Sequence, residues 1–357
     1  MIVFLFVTAA FGALSADIRV NDRQAFIRKF KESKFEDLLS NQKYNSPTYS
    51  VDKSKRIGHG SSCSVYKGRF ENLQLVAAKQ INIYEYKDDD DDDTNDGSGC
   101  GFSNGGDEDE EKKRKKNDDK FKGLQQEVRL LSVLSHENII KLRDTFSDAA
   151  AVKSSKRKEC MIKKYYLFYD FMELGSLEQF SCLSETKPFE LKDYRRRGLM
   201  KGVLSALVYL HSLNIIHRDI KPANIMLTGD YEARLIDFGL ATEPTIKPVR
   251  VKGACGTPIF FAPEMIRNSS NCRGYGVKVD IWAFGLTLWS LYTDPMPGVD
   301  SLSMEDLFDR ISEKGPWGEL PNGDPEVIDV IKWCVERGEA TRASAINLLE
   351  LSYFNSK

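Results

Sequence analysis

Net charge is almost absent from this chain of 357 residues, in which 51 Lys and Arg stand against 53 Asp and Glu for a formal −2. That balance argues against a nucleic-acid coat or a polybasic membrane binder. Cys-x-x-Cys spacing is also missing. The seven cysteines, at 63, 100, 160, 182, 255, 272 and 334, are odd in number, so neither a zinc site nor a disulfide scaffold suits a chain this long, and they read as incidental thiols. No apolar run reaches the roughly 20 residues that a spanning helix needs. The most apolar stretch, Met1 to Ala16, ends in small residues at Ala13-Leu14-Ser15 and gives way to charge at Asp17–Arg19. It reads as a secretory signal peptide, although it lacks the Lys or Arg of a usual leader; an uncleaved anchor and a merely apolar terminus are the other readings. The first reading sends the chain to the secretory pathway or out of the cell. Without a signal at Met1–Ala16 the expected address is cytoplasmic.

What is present is ordinary globular material, 41% hydrophobic and 29% charged, enough for one large domain or two smaller ones. Residues 17–50 form a polar extension with a weak helical stripe at Phe26, Ile27, Phe30, Phe35, Leu38 and Leu39, expected to pack on the domain C-terminal to it. Two segments break the globular pattern. From about 87 to 120 the chain runs through six aspartates (Asp88 to Asp93), a Gly/Ser/Asn stretch, an acidic block (Asp107 to Glu111) and a basic one (Lys112 to Lys116). With almost no apolar residues, it reads as a disordered insertion. Its basic cluster reads as a solvated charge run, with a nuclear signal or an anion patch as the alternatives. Residues 147–160 read as a shorter, basic extended loop.

Chemistry enters with Gly58-His59-Gly60, a glycine turn between two strand-like stretches, where backbone amides approach phosphate oxygens without a Cβ in the way. Val76-Ala77-Ala78-Lys79 is an apolar strand ending in one lysine. Further on come His217-Arg218-Asp219-Ile220-Lys221-Pro222-Ala223-Asn224, then Asp237-Phe238-Gly239, then Ala262-Pro263-Glu264. Each tripeptide alone is common, but the ordered set is not. In that set the chain resembles the eukaryotic protein kinase family over about residues 51–354.

The resemblance implies an α+β fold of two lobes, a small β-rich one over about 51–172 and a larger helical one over about 173–354, with ATP in the cleft. It implies that Ile57, Gly58, Gly60, Val65 and Ala77 surround the nucleotide and that Lys79 holds its phosphates, paired to Glu127 on a helix. Tyr169 (as gatekeeper), Asp170 and Met172 would form the hinge, with Met226 as the floor of the adenine site. Asp219 would accept or orient the substrate hydroxyl proton, and Lys221 would neutralise the charge that develops on the γ-phosphoryl group. Asn224 and Asp237 would hold Mg2+. Glu264 is expected to pair with Arg342. Lys221, two residues beyond Asp219, and the segment Gly256 to Glu264 resemble the serine/threonine branch.

The implied activity is therefore transfer of the γ-phosphoryl group of MgATP to Ser/Thr hydroxyls of protein substrates, with neither nucleic acid nor a stable membrane span involved. A catalytically weak or inactive scaffold of the same fold is the alternative, and a small-molecule kinase is disfavoured by the complete segment Gly256 to Glu264. Cys63 replaces the third loop glycine. Between Leu240 and Gly256 the only hydroxyl side chains are Thr242 and Thr245. This favours activity without a phosphate on that segment, with control through Thr245 as the other reading. Ala223 weakly disfavours a need for arginine upstream of the target hydroxyl.

Overall fold

The structure, a computed structural model, describes residues 20–39, 49–59, 63–71, 74–86, 107–153, 159–181, 191–248, 250–266, 274–316, 318–322 and 324–355. The leader expected over 1–16 lies outside these residues. Two compact units divide the chain. One holds 34–132 and 141–171; the other holds 1–33, 133–140 and 172–357. Helix α1 (Val20–Glu32), in the second unit, and the single turn α2 (Phe35–Leu38), in the first, fall within the stripe of the N-terminal extension, with Ile27, Phe30 and Phe35 buried.

The first unit is a five-stranded antiparallel sheet of β1 (Tyr49–His59), β2 (Cys63–Phe70) and β3 (Gln74–Tyr86), then, after helix α3 (Asp107–Val133), β4 (Leu142–Lys153) and β5 (Glu159–Asp170), in the spatial order β1-β2-β3-β5-β4. Side chains alternate across a strand, and the alternation gives this sheet two different faces. Val76, Ala78, Tyr166 and Phe168 make a dry cluster with Tyr49, Val51, Phe70 and Phe146. The opposite face receives α3, whose Phe121 ring lies 5.8 Å from that of Tyr165 and whose Leu124, Val128 and Leu131 are buried.

Helix α3 corrects the expected insertion. Residues 87–106 lie outside those described, but 107–120 form the first half of a continuous helix of 27 residues. Glu111 precedes Lys115 at i,i+4 spacing, the orientation that supports a helix. Polar docking substitutes for an apolar stripe. The Asn117 side chain accepts from Tyr84 N (2.9 Å) and donates to Tyr84 O (2.8 Å), and Lys120 Nζ donates to Asn82 O (2.8 Å). The basic loop expected over 147–160 is also corrected, because β4 and β5 stay in register from Ser147↔Tyr165 out to Lys153↔Glu159, and only 154–158 lie outside the described residues.

The second unit is helical. Helix α4 (Asp193–Ser212) leads to a short hairpin, β6 (Ile225–Leu227) and β7 (Ala233–Leu235). Residues 133–140 join this unit by pairing with β7, Leu235 N donating to Asn138 O and Ile140 N to Leu235 O. After the turn α5 (Pro263–Ile266) comes α6 (Lys278–Ser290), apolar on nearly every side and buried from Val279 to Ser290, which marks it as the centre of the unit. The helices α7 (Met304–Glu313), α8 (Pro325–Cys334), α9 (Ala345–Leu349) and α10 (Ser352–Asn355) complete it. The starts of α7, α8 and α9 are set by Ser303, Asp324 and Ser344, each accepting a backbone N–H of the first turn. Among the described residues no helix is long and apolar enough to cross a membrane.

Candidate active site

In the sheet unit the strand register collects the residues expected on the nucleotide side. Gly58 lies opposite Val65, Val65 opposite Lys79, Lys79 opposite Leu167, and Ala77 opposite Tyr169. Directly opposed residues of antiparallel strands share a face, so Gly58, Val65, Ala77, Lys79 and Tyr169 all stand on the face that bears α3. There Lys79 Nζ meets Glu127 Oε2 at 2.7 Å although 48 residues separate them in sequence. Glu127 is 3% exposed, so the pair is well shielded from water. The Tyr169 hydroxyl donates to the other oxygen, Glu127 Oε1, also at 2.7 Å. Asp170 is bound by both its oxygens to Arg143 (2.6 and 3.0 Å). Ile57 is exposed and Gly60 lies outside the described residues.

In the helical unit the decisive residues sit on one loop. Asp219 is 8% exposed, and each of its carboxylate oxygens has two donors. Oδ1 accepts from Thr257 N (3.0 Å) and Thr257 Oγ1 (2.8 Å); Oδ2 accepts from Asn224 Nδ2 (2.7 Å) and meets Lys221 Nζ at 2.9 Å. Lys221 Nζ also donates to Thr257 Oγ1 (2.7 Å). The loop is pinned from below by Asp280, in the first turn of α6, which accepts from the backbone N–H of His217 and of Arg218 (both 2.9 Å) and from His211 Nε2 (2.9 Å). Full burial opposes ionisation of Asp280, but the hydrogen bonds from the His211 side chain and the Arg218 N–H help to outweigh it and hold the carboxyl below its ordinary value. Arg218 thereby keeps a left-handed backbone (φ 69°), as does Asp237 (φ 65°), a conformation costly for residues with a Cβ. The His217 ring donates through Nε2 to Ile236 O (3.0 Å), accepts at Nδ1 from Asp219 N (3.3 Å) and packs against Phe238 at 4.9 Å. Met226, half-buried on β6, is bridged to Ser176, and Met172 is buried at the start of this unit.

Comparison with known proteins agrees with this arrangement. The model of the protein kinase domain matches residues 109–354. The chain belongs to the eukaryotic protein kinase family. Similar proteins include the MAP3K epsilon protein kinase 1 of Arabidopsis thaliana, 30% identical over 82% of this chain and 18% of that protein. Mitogen-activated protein kinase kinase kinase 1 of the same plant is 29% identical over 76% of this chain and 37% of its own length. The serine/threonine-protein kinase pakC of Dictyostelium discoideum is 30% identical over 66% and 46%. The chain thus spans less than half the length of each of these relatives. The family and the names of these relatives place it in the serine/threonine branch, whose members generally use ATP and Mg2+.

Within this kinase chain the segment from Leu240 to Glu264 is tied down by contacts that the motifs did not announce. Arg218 Nε donates to Leu240 O (2.6 Å). Val251 and Tyr275 exchange backbone hydrogen bonds, both 2.9 Å, and the Tyr275 hydroxyl donates to Gly253 O (2.9 Å). Burial, reinforced by Cys255 nearby, pushes that hydroxyl up to about 12, so it remains a donor. Arg250 grips Glu339 through both guanidinium branches (2.5 and 2.8 Å). Thr242 Oγ1 accepts from Ile216 N (2.9 Å) and Thr245 Oγ1 donates to Lys247 O (2.7 Å), so both candidate phosphosites are engaged within the fold. Gly256 (φ 106°) passes so close to the loop from His217 to Asn224 that a Cβ would collide with the Arg218 carbonyl. The expected pair of Glu264 with Arg342 is formed through both oxygens (2.5 and 2.9 Å).

The bonds that Thr257 and Asp280 make are what sequence reasoning did not find: Thr257 lies inside the matched segment Gly256 to Glu264, and the resemblance gives the stretch Asp280 to Gly285 only a packing role, while their partners are 38 and 62 to 69 residues away in sequence. Cys334 is buried and its thiol is pushed up by that burial, as an inert core cysteine should be.

Proposed function

We propose that this chain is an active protein serine/threonine kinase that transfers the γ-phosphoryl group of MgATP to Ser/Thr hydroxyls of proteins. The observation that carries this reading is the completed Lys79–Glu127 pair at 2.7 Å in a chain whose Asp219 is also fully hydrogen-bonded by Lys221, Asn224 and Thr257. A scaffold has no need to maintain either arrangement. The donor chemistry also suits magnesium. The Asn224 amide nitrogen is engaged by Asp219, Nδ2 donating to its backbone O (2.8 Å) and to Oδ2, so the amide offers its oxygen. With the Asp237 carboxylate this makes two hard oxygen donors. Among the described residues no cluster of three or more His, Cys, Asp or Glu could hold a metal by itself, which suits an ion that takes its remaining ligands from nucleotide phosphates and water.

The bound metal and triphosphate would supply the transferable group and neutralise its charge. Asp219 orients the incoming hydroxyl and accepts its proton, held in place by Thr257 and Asn224. Lys221 adds positive charge on the side where the phosphoryl oxygens gain negative charge, and Lys79, oriented by Glu127, holds the nucleotide phosphates. Phosphate transfer from labelled MgATP to a generic basic protein tests the reading: the wild type should transfer and Asp219→Asn should not. A folded wild type that transfers nothing would overturn it.

We also propose that activity needs no phosphate on the segment between Leu240 and Gly256. In support, Arg218, Arg250 and Tyr275 already brace that segment, and both of its hydroxyls are engaged. Phosphatase treatment should leave the rate unchanged, and a large loss after treatment would contradict the proposal.

A further inference from the structure

Glu127 is nearly sealed from solvent, yet neither of its carboxylate oxygens depends on water for a partner. Lys79 reaches Oε2 from β3 and the Tyr169 hydroxyl reaches Oε1 from β5, both at 2.7 Å. Tyr169 is itself 7% exposed, and its backbone is locked opposite Ala77, two residues along the strand from Lys79. The donor therefore comes from the rigid middle of the sheet and meets a residue on the helix. A lysine alone leaves the carboxylate free to rotate about one contact; a second donor on the second oxygen fixes its plane and leaves no buried acceptor unsatisfied.

We propose that Tyr169 is a positioning residue for phosphoryl transfer, its hydroxyl holding Glu127 so that α3 keeps the glutamate on Lys79 before nucleotide arrives. This rests on the reading of Lys79 as the lysine that holds the nucleotide phosphates. The role differs from lining the nucleotide site, because it acts through another side chain. Its kinetic mark comes from population arithmetic. If only a fraction of the free protein has the pair formed, apparent affinity for nucleotide falls by that fraction, while saturating nucleotide restores the competent state.

Tyr169→Phe keeps the ring and removes only the hydroxyl, so the test uses the full chain with that substitution. The KM for MgATP should rise about fivefold with kcat within about twofold of wild type. Amide hydrogen exchange over residues 121–133 should quicken in the nucleotide-free variant. In a Glu127→Ala background the same Phe substitution should add nothing to the Kd for MgATP, because the hydroxyl has lost the group through which it acts. Unchanged KM together with unchanged exchange would overturn the proposal. An equal cost in both backgrounds would also overturn it, since that is what ring packing alone predicts. Should the wild type transfer no phosphate, the proposed activity fails, and the exchange measurement alone then decides whether Tyr169 holds the helix.

Discussion

The two units assemble their chemistry in opposite ways. In the helical unit Asp219, Lys221 and Asn224 lie within one short loop, and distant residues, Asp280 and Thr257, only hold that loop in shape. In the sheet unit Lys79, Glu127 and Tyr169 come from three separate elements, and nothing but strand register and the docking of α3 brings them together. A local constellation keeps its members near one another even when its support weakens. A dispersed one exists only while the tertiary structure holds, so the sheet unit is where conformational change translates most directly into lost or gained competence.

Substitutions can break that comparison at several points. The largest effect is expected from Asp219→Asn, which should lower phosphate transfer about 10²- to 10⁴-fold in a steady-state assay. Removing the support of the same loop should act on the fold instead. Asp280→Ala leaves two buried N–H groups and His211 without their acceptor and should cost about 3–5 kcal/mol in urea unfolding. The sign with pH is set by the lowered value of Asp280: its contribution is complete above the ordinary carboxylate value of about 3.9 and is lost as pH falls through the lower folded value. Asp280→Asn should accordingly flatten the acid limb of a stability–pH curve.

A smaller effect is expected at Thr257. Thr257→Ala should reduce kcat about tenfold to a hundredfold by removing one of the two donors to Asp219 Oδ1, the Thr257 N–H remaining, and Thr257→Ser should recover most of the rate. The smallest lies in the sheet unit at Asn117→Ala, worth about 1 kcal/mol, read as faster amide exchange in the first half of α3 with kcat unaltered. Were that change to abolish activity, the two halves of α3 would have to act as one rigid rod down to Glu127.

Legibility in the sequence divides along the same line. The loop from His217 to Asn224 is legible because its chemistry lies at fixed spacing, and Lys79 with Glu127 becomes legible only through the resemblance that pairs them. The direction of the Tyr169 hydroxyl is not legible, because it depends on a strand register that composition does not encode. The first half of α3 reads as disorder because its stabilisation is electrostatic and polar, with no apolar period to see, while the 147–153 and 159–160 stretches read as loop because each strand takes its shape from the other. The pair of Glu264 with Arg342 is foreseen from the motif, and its geometry agrees.

The clasp between Asn117 and Tyr84 also bears on how the molecule behaves in a crowded solution. Among the described residues β2 accompanies β3 only as far as Ile81, so from Asn82 onward β3 has β5 on one side and no strand on the other. An open strand edge offers its N–H and C=O groups to any extended chain that drifts past. Here the Asn117 amide takes one of each from Tyr84, Lys120 covers the Asn82 carbonyl, and the exposed basic side chains of Lys112 to Lys116 stand within about one and a half turns of Asn117 on the same helix. The charged half of α3 is thus a guard against aggregation, blunting an edge that would otherwise recruit a second strand.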